Sequence, residues 1–323
     1  MRRLNAARLR DEQGGVAVIV AVIMVALLAA TALAIDVGAM YAERAQLQNG
    51  ADAAALAVAG DCADGTCGNA SSIAQRYADA NANDGASAVS SVDFPRAGTV
   101  SVTTATEDAA TGAGPLALTF APLLGIADPD LSASATASWG SPASGRADLP
   151  LAFAPCVFRL DGAIQVLSIH GDSGGTSCSS TSPSGQLLPG GFGWLADPTN
   201  TCSADVSISK NAPMAGDSGV SISSACATVL PGLADKTILL PVYGDISGTG
   251  GGSYRITGWA AFTVLGWNFS GSVTSYHNQY YPGATCTGSC KGLIGKFVRF
   301  VSFDDRFTMG GPDLGASVVR LTK

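Results

Sequence analysis

The chain has 323 residues, a formal charge of −7 and a pI near 4.7. That balance excludes a nucleic-acid binder, which needs a basic footprint to displace counterions. Charged residues make up only 13%, glycines number 40, and there are 2 histidines, His170 and His277, so general-base and imidazole-metal chemistry start with little material.

Residues 1–15, "MRRLNAARLRDEQGG", carry Arg2, Arg3, Arg8 and Arg10. Val16 to Ile35 follows as an uncharged run rich in Val, Ile and Leu. At 1.5 Å per residue it spans about 30 Å, the thickness of a bilayer core, and its insertion is favoured by roughly 3 to 7 kcal/mol. The arginine excess ahead of it predicts a cytoplasmic amino terminus and an extracytoplasmic remainder in a single-pass cell-membrane protein. "ALA" at 32–34 resembles a signal-peptide cleavage site. The apolar run is longer than an ordinary h-region and its helical spacing continues beyond that point, so it reads as a retained anchor.

Val37, Met40, Tyr41, Leu47, Ala51, Ala54, Ala55 and Val58 recur at helical spacing, so residues 36–60 continue the same helix to about Ala59, stopping at Gly60. The residues read as contacts for a partner helix are Ala30 and Ala34, whose small side chains permit close approach, and Met40, Tyr41, Leu47 and Ala51 beyond the span.

Residues 61–140 read as a small α+β module. "SSIAQRYADANAND" at 71–84 has the form of a helix capped by Ser71 or Ser72 and closed by Gly85. "AVSSVDF" and "TVSVTTAT" read as strands around a Pro95–Gly98 turn, "LALTFAPLLG" as a short helix, and "DLSASATASWG" as an exposed strand. Residues 141–149, inside "GSPASGRADLP", have the composition of a linker. Residues 150–323 read as one antiparallel β domain with disulfide-pinned loops. Its strand candidates are "AIQVLSIH", "KTILLPVY", "SYRITGWAAFTVLGWNFSG", "IGKFVRFVSFDDRF" and "GASVVRL". The fourth would place Phe297, Arg299, Val301 and Phe303 on one face and Val298, Phe300 and Ser302 on the other.

Cys62, Cys67, Cys156, Cys178, Cys202, Cys226, Cys286 and Cys290 all lie beyond the span, as a disulfide set in an oxidising compartment would. Cys62 with Cys67 and Cys286 with Cys290 read as local disulfides rather than as a four-thiolate zinc site, because the two pairs fall in different domains. The other four allow three pairings.

Three motifs imitate sites. "GDSGG" at 171–175 frames Ser173 as a serine-protease nucleophile would be framed, with His170 and Asp172 beside it. No histidine precedes His170, and a triad needs three converging parts, so the segment reads as a strand end and a turn. "DISGT" at 245–249 imitates a metal-dependent adhesion site. Too little chain follows for the parallel α/β domain that site requires, so a hairpin is expected. "GGFGWL" at 190–195 reads as an aromatic loop plugging the β core in preference to a binding surface.

"GGVAVIVAVIMVALLAATALAIDVGAMYAERAQLQNGADAAALAVAG" resembles the amino-terminal segment of Flp (Tad) pilus-assembly TadG-like proteins. The matching elements are the glycine before the span, "AIDVG" at its exit, "LQNGADAAALA" at 47–57 and the Ala-rich finish. The resemblance implies a single-span envelope protein associated with adhesive Flp pili. Where prepilins of that system carry a glutamate, five residues after the glycine, Val20 stands here, which implies an assembly component and not the fibre subunit. "GGFGWL", "GTGGGSYRITGWAAF", "GKFVRFVSF" and "GPDLGASVVRL" resemble the carboxy-terminal part of TadG-related proteins of high-GC Gram-positive bacteria.

The fold class expected is α+β: a transmembrane helix continuing into a pilin-like extended helix, a small α+β module and a carboxy-terminal antiparallel β domain. The expected function is that of a non-enzymatic, membrane-anchored envelope component whose partners are the membrane and other pilus-assembly proteins. No cofactor, metal or small-molecule substrate is expected. A β-domain binding module for a cell-wall or surface ligand is the alternative.

Overall fold

The computed structural model describes residues 6–107, 114–168, 179–181, 187–189, 191–208, 213–217, 221–247, 252–271 and 273–322. The fold is mixed α+β: one very long apolar helix, few others, and a carboxy-terminal region rich in antiparallel sheet. It divides into two units, Met1–Val58 with Asn69–Ala137 and Leu321–Lys323, and Ala59–Gly68 with Ser138–Arg320.

Helix α1 runs from Ala6 to Ala63 without a break. It starts before the apolar span and passes through the expected stop at Gly60. Gly60 lies within the helix beside the Phe303 ring, 3.5 Å from where a Cβ would be, and does not terminate it. The helix ends instead at the Cys62–Cys67 disulfide, where Gly65 takes a φ of +91°.

In the first unit, Leu47, Ala51, Ala54, Ala55 and Val58 are buried along one stripe of α1. Helix α2, Ala70–Asp79, is capped by Asn69, whose Oδ1 accepts from Ser72 N–H at 3.1 Å, not by either serine. Gly50 of α1 faces α2 closely enough that a Cβ there would sit 3.4 Å from Ala78 Cα. Strands β1, Ala88–Arg96, and β2, Thr99–Ala105, form the expected antiparallel hairpin, with Gly98 at φ +69°. Strand β3, Ser132–Gly140, lies beside β2. Its alternation of small and polar residues buries Ala133, Ala135 and Ala137, and only Ser132 and Ser134 are exposed. Thr104 Oγ1 donates to the Leu47 carbonyl at 2.9 Å, joining β2 to α1.

In the second unit, the stretch expected as a linker is strand β4, Pro142–Ala147, paired with Ala204–Ser207. Its small residues are there for packing. A Cβ on Gly145 would overlap the Phe307 ring. The principal sheet has seven strands, in the order Met214–Asp217, Phe192–Leu195, β5 (Leu151–Phe153), Thr237–Ser247, Ser253–Asn268, Gly292–Phe297 and β6 (Gln165–Ser168). Met214 and Ala215 also pair with Tyr254 and Ser253, so that edge curls back on the long central strand. Pairing is antiparallel throughout except between β5 and Thr237–Ser247.

The run "TILLPVY" shows no polar alternation because both faces of its strand are covered. Ile238 and Leu240 enter one apolar cluster with Phe262, Val264 and Leu293, while Leu239 and Tyr243 enter another with Trp259, Ala261 and Phe307. The stretch 294–307, expected as one strand, is divided. Gly292–Phe297 pairs with Ser253–Asn268, whereas Phe300–Ser302 pairs in parallel with Ala316–Leu321 in a different sheet. Single-strand alternation therefore does not govern Phe297 to Phe303.

Candidate functional site

The site is built on α1, at and around the place where its membrane-length half ends. The most apolar window of this helix has none of its residues buried by the chain itself. Val18, Val22, Val25, Leu28 and Leu33 are each more than half exposed. A helix that carries all its backbone hydrogen bonds internally is one of the two structures able to cross a bilayer, and this one is long and apolar enough to do so. Thr31, the one hydroxyl in the span, donates back to the Leu27 carbonyl at 2.8 Å and so leaves no polar group unsatisfied.

The uncharged apolar run ends at Ile35, and the next residue, Asp36, is buried. Its carboxylate reaches a loop more than eighty residues later. It accepts from the backbone N–H groups of Thr119 at 3.0 Å, Phe120 at 3.1 and 3.2 Å, and Ala121 at 2.6 Å. These donors open a 3₁₀ turn, Ala121–Leu124, which Gly125 closes at φ +74°. The loop is sealed at its base by Leu116 N–H donating to the Pro129 carbonyl and Leu118 N–H donating to Asp128 Oδ1. An anion accepting the leading N–H groups of a turn is favourable because those groups have no partner within the turn. The sequence offered one cue, a lone carboxylate directly after an apolar span, but nothing in it pointed to residues 119–121.

Beyond Asp36, α1 separates into two faces. Asp36, Leu47, Gly50, Ala51, Ala54 and Val58 are buried, with Met40 and Glu43 half-buried between them. Val37, Gly38, Tyr41, Ala42 and Ala45 are exposed, as are Ala30 and Ala34 ahead of Asp36. The six residues read as partner contacts are therefore not on one surface. Ala30, Ala34 and Tyr41 are open, Met40 is half open, and Leu47 and Ala51 are enclosed by their own unit. Gly38 has open space around it. With Ala30, Ala34 and Ala42 it makes an exposed line of small residues at every fourth position, a spacing that lets helices approach closely.

The Glu43 carboxyl, on the half-buried edge, is raised above its ordinary value by burial first and by the nearby Asp84 carboxylate second.

The imitated sites resolve differently. His170 and "GDSGG" lie outside the described residues. Asp245 and Ser247 lie on Thr237–Ser247, in antiparallel register with Arg255 and Ser253, as the hairpin reading expects; Thr249 lies outside the described residues. Trp194 of "GGFGWL" is buried and its ring lies 5.7 Å from that of Phe269, which makes it a core residue. Among the described residues Cys62 pairs with Cys67, Cys202 with Cys226 and Cys286 with Cys290. Cys156 is also disulfide-bonded, and Cys178 lies outside the described residues.

The second unit also holds a cavity of about 690 Å³ lined by Phe158, Leu160, Val242, Ala260, Phe297 and Leu314, with Asp161, Arg299 and Asp313 among its polar contributors.

Residues 14–61, which cover the span and nearly all of its helical continuation, match the family described as Putative Flp pilus-assembly TadE/G-like. No curated protein and no solved structure matches the chain.

Proposed function

We propose that this protein is a membrane-anchored, non-enzymatic component of an Flp-type pilus-assembly system that works through protein contacts along α1. The observation that carries the reading is a coincidence of position. The family match at 14–61 falls on the helix whose membrane-length half is left uncovered by the rest of the chain. The arginines before Val16 favour a cytoplasmic amino terminus, and the disulfides suit an oxidising compartment on the other side. The contact surface is the exposed small-residue line Ala30, Ala34, Gly38, Ala42, with Tyr41 beside it as an aromatic anchor 74% exposed.

The test is the double change Ala30→Leu with Ala34→Leu. Both positions stay apolar, so insertion and membrane abundance should be unchanged while close helix approach is lost. Co-purification with pilus-assembly proteins and the number of surface pili should fall. Normal pili from this variant would remove α1 as the working surface. Fluorophosphonate labelling should leave Ser173 unmodified; an adduct there would end the non-enzymatic reading.

The cavity in the second unit favours one other reading, a binding module for an apolar or amphipathic surface ligand. Leu160→Asp at its rim, where Leu160 is 72% exposed, should leave pilus assembly intact under the first reading and impair function under the second.

A further inference from the structure

The loop that Asp36 holds has a property its own packing does not explain. Residues 114–127, "GPLALTFAPLLGIA", contain no charge. At the tip Leu123 is 80% exposed, Leu124 79% and Ile126 56%. Three neighbouring aliphatic side chains are thus presented outward on a turn stiffened by Pro122 and sealed at its base.

We infer that Leu123, Leu124 and Ile126 form a membrane-interface foot, inserted into the leaflet through which α1 leaves the bilayer. The inference rests on the span reading of Val16–Ile35, and position carries it from there. Asp36 is the first residue after the span, and its carboxylate fixes Thr119, Phe120 and Ala121 at that level. The interfacial layer on each side of the hydrocarbon is roughly 5 to 8 Å thick. A 3₁₀ turn advances about 2 Å per residue, so Leu123 and Leu124 lie within about 6 Å of the pinned Ala121 along the turn. An uncharged aliphatic tip at that height meets lipid in preference to water. The occupant is therefore the bilayer that α1 already crosses. Asp36 then acts twice, ending the span and seating the first unit on the membrane surface.

The experiment uses the full chain in phosphatidylcholine–phosphatidylglycerol vesicles, with and without lipids brominated near the headgroup or deep in the acyl chains. Leu124→Trp reports the foot and Val25→Trp the middle of the span. Each is read as the difference from the parent chain, which subtracts the 4 native tryptophans. The expected result is that the tryptophan at 124 loses at least half its emission to shallow bromines and less to deep ones, with the opposite order at 25. Quenching at 25 without quenching at 124 would overturn the foot and leave the anchor standing. No quenching at either position would overturn both. Protection of the tryptophan at 124 from aqueous acrylamide without bromine quenching would mean that protein covers the loop, which also overturns the proposal.

Discussion

Asp36 Oδ2 lies 2.6 Å from the backbone nitrogen of Ala121, joining the end of the apolar span to a turn 85 residues later. A carboxylate that accepts backbone N–H groups makes charge-assisted bonds, each worth about 1.5 to 3 kcal/mol. Asp36→Ala should therefore loosen the loop without melting the unit around it. Amide exchange at Phe120 and Ala121 should accelerate roughly 10- to 100-fold, with Asp36→Asn in between because one oxygen acceptor remains. Unchanged protection in the alanine variant would show that the loop holds itself.

Gly50 separates two effects that a mid-helix glycine usually confounds. A Cβ at this position would meet Ala78 Cα at 3.4 Å, which is ordinary contact. Gly50→Ala should be neutral or should stabilise the first unit by up to about 1 kcal/mol through helix propensity. Gly50→Leu should force α1 and α2 apart and lower the melting temperature. A leucine variant as stable as the alanine variant would mean that the two helices need not be close.

The disulfides should differ in weight. Cys202 and Cys226 are both buried in the core and 24 residues apart, and the chain-entropy model assigns such a closure about 3.5 kcal/mol. Cys286 and Cys290 are only 4 apart, which corresponds to about 2 kcal/mol. Replacing the first pair by alanines should lower the second unit's melting temperature by about 10 °C, and replacing the second pair by clearly less. Equal losses in calorimetry would contradict this ordering.

Glu43 supplies the pH dependence. Its carboxyl titrates above the ordinary value because of burial and Asp84, so the folded state holds the proton more tightly than the unfolded chain does. Its contribution therefore favours folding at low pH and is lost as pH rises through the raised value. Glu43→Gln should stabilise the first unit slightly at pH 7, the gain kept small by solvent screening at a half-exposed site. The gain should vanish near pH 4. Melting curves of both chains across that range would show it, and a gain that persisted at low pH would assign the effect to packing.

The long apolar helix and its continuation past Ile35 were legible because their determinants are local. An uncharged run of bilayer length and a 3.6-residue recurrence depend only on neighbours along the chain. The β1–β2 hairpin was legible for the same reason, through alternation and Gly98. So were the Cys62–Cys67 and Cys286–Cys290 closures, since residues so close in sequence meet at little entropic cost.

Tertiary structure decided everything that depends on what lies opposite. The helical stripe of α1 announced an apolar face, but only the packing of the first unit sorts Leu47 and Ala51 inward and leaves Ala30, Ala34 and Tyr41 outside. Residues 142–147 have a linker's composition because a strand facing Phe307 requires small side chains, and composition alone does not distinguish those two needs. Gly292–Phe297 and Phe300–Ser302 share one alternating pattern yet pair in different sheets, because a period of two marks strands without naming their partners. Asp36 is the sharpest case. One carboxylate after an apolar run is an ordinary end to a span until residues 119–121 are brought to it, and no local signal encodes a contact across that separation.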